Sequence, residues 1–176
     1  MGRILATTLV AMTLGTNVFG CDALLPDHLR IPDCRLATAV ANAAAGRSAV
    51  LKDLLERIQR TDGLVFLTPP PPTGPATRLL GGFSHKISAA GRYRVLRIVV
   101  SGKVDDASIA IVGHELRHAL EVLELSAATT EADVDALFDR IGWHTSERTV
   151  ETQAAIDAGT AIERELTASK ASARRR

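Results

Sequence analysis

The chain has 176 residues, 46% of them hydrophobic and only 3% aromatic, with a formal net charge of +1. That length fits one domain, and its core has to be built from Ala, Leu, Ile and Val. A nearly neutral chain lacks the field of a nucleic-acid binder or of a protein made for acidic surfaces, and the terminal Arg174-Arg175-Arg176 reads as a solvated tail.

Arg3 is the only early charge, and Ile4 to Val18 is largely apolar with no charged residue. The stretch is shorter than the about 20 residues of a membrane span and fits the apolar region of an export signal cleaved near Gly20. Residues 1–20 are therefore expected to be a signal peptide, and the protein to be periplasmic, secreted or envelope-anchored in a bacterium. Val18-Phe19-Gly20-Cys21 resembles a lipobox, with Phe19 standing where a small residue is usual. Cys21 is thus a candidate for lipidation; the alternative is a Cys21–Cys34 disulfide in an oxidising compartment. Residues 21–46 read as a linker and helix, 47–168 as the main domain and 169–176 as a basic tail.

From Asp22 to Pro32 the pattern is irregular. Leu36 to Ala45 is alanine-rich and reads as a helix ending at Gly46. Ser48 is placed to cap a helix that carries Leu51, Leu54, Leu55 and Ile58 on one stripe, with Gly63 closing it in the left-handed conformation. Leu64 to Leu67 reads as a short buried strand, stopped by Pro69 to Pro72 in a stiff surface loop. Gly81-Gly82 extends the irregular region. Tyr93 to Val100 is the second strand, with Arg94 and Arg97 implying partial exposure. Asp105 or Asp106 caps the next helix. Thr130 and Asp133 form a capping-box start for a helix with Val134, Leu137, Phe138 and Ile141, ended by Gly142. The last helix is expected from Thr149 to Ala168. Two short strands and about five helices make an α+β domain, rich in helix with a short sheet.

The helix opening near Asp106 carries His114-Glu115-Leu116-Arg117-His118 behind the apolar run Ile109 to Gly113. Residues four apart share a helix face, so His114 and His118 can turn two imidazoles to one metal ion, with Glu115 in reach of water on that ion. The helix is apolar on nearly every side and is expected to be buried. A buried glutamate is costly unless paired or near a cation. The alternative is two core histidines bonded to carbonyls. Gly113 costs helix stability and implies that something approaches closely there.

With these residues the chain resembles the zincin metallopeptidases. It also resembles small exported bacterial proteins of unknown function that carry a strand, Gly-His-Glu-Leu-x-His-Ala and a later helix opening with Glu-Thr. Here those elements are Arg97-Ile98-Val99, Gly113 to Ala119, and Glu151-Thr152. The resemblance implies a small zincin-like domain with Zn2+ held by His114 and His118 and with Glu115 as general base. Arg117 departs from the uncharged residue usual in zincins.

Catalytic zinc takes a third protein ligand. The metzincin pattern fails, because Glu121 and Glu124 stand where its glycine and histidine would be. The gluzincin pattern takes a glutamate from a later helix, and Glu151 is the candidate, on one expected stripe with Ala155, Ala158 and Ile162. The alternative for Glu151 is a charge complementing a helix dipole. The usual aspartate partner is replaced by Ala155. His144, in the expected loop Gly142 to Thr145, is an alternative ligand or an oxyanion donor. Glu121 is a candidate acceptor behind His118. Glu131, Asp133 and Asp135 read as cap and surface residues, and His28 and His85 as loop histidines without partners.

The function expected is an exported zinc-dependent metallopeptidase hydrolysing peptide or protein substrates along an exposed strand, with Tyr93 to Val100 proposed for that strand. The alternatives are a catalytically inactive zincin-like binding module of the cell envelope, and a helical envelope protein without metal. No nucleic acid is expected, and a membrane only through the signal or a lipid anchor.

Overall fold

The computed structural model describes residues 25–70, 81–101, 103–146 and 149–175. The expected signal at 1–20, Cys21, and Pro71-Pro72 lie outside those residues. No cysteine among the described residues is free, and no described helix is long and apolar enough to cross a membrane.

The fold is α+β, as expected; the described residues form five helices, a sheet of four strands and a second sheet of two. In chain order the elements are β1 (Leu29–Arg30), α1 (Cys34–Gly46), α2 (Ala49–Gln59), β2 (Gly63–Thr68), β3 (Gly81–Ala90), β4 (Tyr93–Val100), α3 (Asp106–Glu124), α4 (Glu131–Ile141), β5 (Trp143–Ser146), β6 (Thr149–Glu151) and α5 (Gln153–Ala173).

Each helix after the first strand starts on a side chain that accepts an orphan backbone N–H: Asp33, Ser48, Asp105, Thr130 and Thr152. The Thr130–Asp133 capping box forms as read from the sequence. Helix α2 turns Leu51, Leu54, Leu55 and Ile58 into the core. It ends at Arg60, and Gly63 instead opens β2; Gly91, in the turn between β3 and β4, is the residue with positive φ among those described.

The large sheet runs β1-β2-β4-β3, parallel except for β3, which is antiparallel to β4. Val65, Leu67, Leu96, Ile98 and Val100 form its buried face, and α3 lies against β3 and β4 on that side. Two expectations change here. Residues 81–90 are a strand, not irregular chain: Phe83 pairs with Ile98 and turns inward, so the segment completes the sheet that Gly81-Gly82 hides in the sequence. Strand β4 is bonded on both sides and is interior, so among the described residues β3 is the edge beside the histidine helix.

Arg94 does not mark exposure either. Its guanidinium is buried and bonds Asp62 and the carbonyls of Val122, Leu123, Leu125 and Ala128, which gathers the C-terminal end of α3 onto the sheet. Helix α5 packs closely along α3. At Gly113 an added Cβ would stand 2.1 Å from Ile162 Cδ1, and at Gly159 one would stand 3.2 Å from His114 Cβ. The close approach that Gly113 implied is the Ile162 side chain. Glu151 and Thr152 precede the last helix rather than lying in it, because Thr152 is its cap. The helix continues through most of the expected basic tail, to Ala173.

Candidate metal centre

His114 and His118 come from successive turns of α3, their ring centroids 4.9 Å apart and nearly perpendicular at 82°. The chain returns to them at the end of β6. Glu151 Oε2 lies 3.1 Å from His114 Nε2 and 3.6 Å from His118 Nε2. The ligand atoms of the three residues fall within 4.8 Å of one another. The stripe expected for Glu151 on the last helix is not what places it: the β5–β6 hairpin pairs Trp143 with Glu151 and delivers the carboxylate to the histidines.

The far side of each ring is held. His118 Nδ1 donates to Glu121 Oε2 at 3.2 Å, and the Thr152 hydroxyl donates to Glu121 Oε1 at 2.9 Å. Glu121, His118 and Thr152 are all buried. The Ala155 backbone hydrogen-bonds His114, whose Nδ1 side faces α5 near Gly159. With a proton on each Nδ1, each Nε2 keeps a lone pair, and both lone pairs then meet the Glu151 carboxylate. Glu151 Oε2 is buried and has no hydrogen-bond partner, although an imidazole nitrogen lies beside it. Three acceptors facing one another are repulsive and desolvated. A divalent cation relieves that, and two imidazoles with one carboxylate are a zinc donor set. The residues therefore fit the ion.

Glu115 lies on the adjacent side, in a cavity of about 150 Å³ with Gly81, Phe83, His85, Phe138 and Glu151 in its wall. Burial pushes its carboxyl up to about 7; the nearby His118 opposes that rise, Glu151 adds to it, and the Phe83 N–H opposes it by donating to the carboxylate. His114 is moved below its ordinary value, by burial first and by the neighbouring His118 second. Burial and a second imidazole thus keep His114 neutral, the form a metal binds.

The other expected residues lie elsewhere. His144 is in β5, not a loop; its side chain is 58% exposed, and its Nε2 lies 3.0 Å from Asp139. It lines a more open cavity beside the first, with His85 and the acidic face of α4. Glu124 points away to Arg57 and Arg117, as expected once the metzincin glycine is missing. Arg117 is largely covered, its guanidinium 3.8 Å from Glu121 and 3.6 Å from Glu124. Two partners were missed in the sequence. Thr152 shows only as half of Glu151-Thr152. His85 sits in the period-two run Phe83-x-His85-x-Ile87, which is the strand signal that would have found it.

A scan of family models and searches of curated proteins and solved structures find no match to this chain.

Proposed function

We propose that this chain is a zinc-dependent peptidase, with His114, His118 and Glu151 as ligands and Glu115 as general base. The observation that carries the reading is the buried, unpartnered Glu151 Oε2 facing two imidazole nitrogens at 3.1 and 3.6 Å. A zinc ion held there would supply Lewis acidity toward a carbonyl oxygen and toward water.

The protein's own groups supply the rest. Glu115 faces the same cavity with a carboxyl poised near neutrality, so it can take a proton from water and return it to the leaving amine. Phe83 N–H holds that carboxylate in place. Strand β3 is the edge at the cavity mouth, with Gly81 and Gly82 in the wall. An extended peptide adding to this edge would pass its backbone across Glu115, with specificity from the flanking cavities. On one side lie Ala110, Ile111 and Ile156, and on the other Glu131, Asp135 and Asp139.

The apolar run from Ile4 to Val18 supports export of the mature chain, so peptides outside the cytoplasm are the proposed substrates. Elemental analysis of purified protein, with a fluorogenic peptide mixture as substrate, tests the reading. One zinc per chain and hydrolysis are expected, with Glu115→Gln keeping the metal and losing hydrolysis, and His118→Ala losing both. Zinc without hydrolysis in the wild type would instead make the chain a binding module; no zinc would overturn both.

A further inference from the structure

We propose that Cys21 is the disulfide partner of Cys34, so that the sulfur a lipid anchor would need is spent in a staple across the N-terminal segment. The inference goes beyond the peptidase reading and stands whether or not that reading holds.

Cys34 is disulfide-bonded. The chain has two cysteines, so within one chain its partner is Cys21. A cysteine sulfur carries either a thioether to a lipid or a bond to a second sulfur, and the bond at Cys34 decides between the two readings of Val18-Phe19-Gly20-Cys21. Phe19, standing where a lipobox has a small residue, agrees with the disulfide. Cys34 is exposed in the first turn of α1, where an oxidant reaches it. The bond forms by exchange: two thiols give up two protons and two electrons to a disulfide donor, which leaves as two thiols. Such donors belong to compartments outside the cytoplasm, the destination that the apolar run Ile4 to Val18 implies.

The segment between the cysteines is a part of the fold that gains from a tie. It carries β1, an edge strand of two residues that pairs Leu29 with Val65 and Arg30 with Phe66. Around it Leu25, Leu29 and Ile31 are buried. Leu29 N–H donates to Pro26 O at 3.0 Å, and Val65 N–H donates to His28 O at 2.9 Å. A chain end held by so short a strand frays readily, and fraying would bare the outer edge of β2 to pairing with another chain. A disulfide closing the loop of residues 22–33 takes freedom from the unfolded chain and holds β1 against β2.

The test uses the full-length chain in a bacterium with an oxidising periplasm. Cells are alkylated with a maleimide before lysis, and no reductant is present. Trypsin cuts after Arg30 and Arg35, so the peptide that ends at Arg30 and the peptide Ile31–Arg35 should run as one species that reduction splits in two. A lipid mass on Cys21, two alkylated thiols, or Cys34 linked to Cys34 of a second copy would each overturn the proposal. Cys21→Ser, Cys34→Ser and the double variant should lower the unfolding temperature by roughly 5–10 °C, all to one value, which the wild type should reach on adding reductant. Hydrogen exchange should then quicken at the amides of Leu29 and Val65 and stay as it was in β4. Reductant that moves neither the unfolding temperature nor those two amides overturns the staple, even where the linked peptides are found.

Discussion

Glu115 has an opposite pH signature to most carboxylates of a folded protein. Its carboxyl is raised from 4.5 to about 7, chiefly by burial. Between those values the folded state keeps a proton that the unfolded chain has lost, so stability falls as pH rises. The penalty, complete above about pH 7, is on the order of 3 kcal/mol. In chelator-treated protein, Glu115→Gln should therefore be more stable than the wild type at pH 8 and indistinguishable at pH 4, as read by urea denaturation. An equal difference at both pH values would mean that the group is not desolvated as described. Thr152 is the second residue whose chemistry reaches further than its place in the sequence. One hydroxyl caps α5 by accepting from Ala155 N–H and steadies Glu121 by donating to it. Thr152→Val should cost about 1 kcal/mol in capping and weaken zinc binding at least about tenfold through the loosened His118. Thr152→Ser should do neither. Competition with a chelating dye measures it, and unchanged affinity in the Val variant would remove Thr152 from the centre.

At the scale of elements, the histidine helix is held at its far end by one side chain. Arg94 bonds carbonyls at residues 122, 123, 125 and 128 while it pairs with Asp62. Arg94→Met would leave those carbonyls short of a donor inside the protein, at about 1–3 kcal/mol, and let the end of α3 fray. The Arg94 guanidinium also holds the Asp62 carboxyl below its ordinary value, against the opposing effect of partial burial. The stability gained from that pair is present above the ordinary aspartate pKa of about 3.9 and is lost as pH falls below it. Arg94→Met should accordingly lose this part of its acid sensitivity, along with its lowered urea midpoint at pH 7. The caps at Ser48, Asp105 and Thr130, the inward stripe of α2 and both histidines were legible in the sequence because each is a local signal of fixed spacing. Strand β3 was not. Its paired glycines read as a break, and the register with β4 shifts between Ser84 and Ser88, so the alternation of Phe83, His85 and Ile87 is short. Arg94 misled for a related reason. An arginine in a strand usually marks solvent, and only the folded chain brings Asp62 and the end of α3 to it. Glu151 was singled out by its chemistry and does lie beside both histidines, but its setting was misread. The β5–β6 hairpin has no apolar alternation to announce it, and Thr152 is as good a cap as Thr149.

At the scale of the whole molecule, the proposed cation ties two parts of the chain far apart in sequence. His114 and His118 belong to the buried helix over the sheet, whereas Glu151 arrives on a small hairpin whose strand β5 is exposed throughout. Apolar burial anchors the first strongly and the second little, so an ion joining them should stabilise the hairpin most. A ligand that binds only the folded chain adds RT ln(1 + [L]/Kd), about 4 kcal/mol at a thousandfold excess over Kd. At roughly 2–4 °C per kcal/mol for a domain of this size, saturating zinc should raise the unfolding temperature by roughly 10 °C, reversed by a chelator. Hydrogen exchange should show the reason: zinc should slow the amides of β5, β6 and the first turn of α5 far more than those of β2 and β4, whose paired, buried interior position should already hold them to global opening. Glu151→Ala should abolish the hairpin protection and most of the thermal shift while leaving the sheet as it was. Should that variant keep the full shift, the ion sits elsewhere, and the meeting of α3 with β6 has to be explained without it.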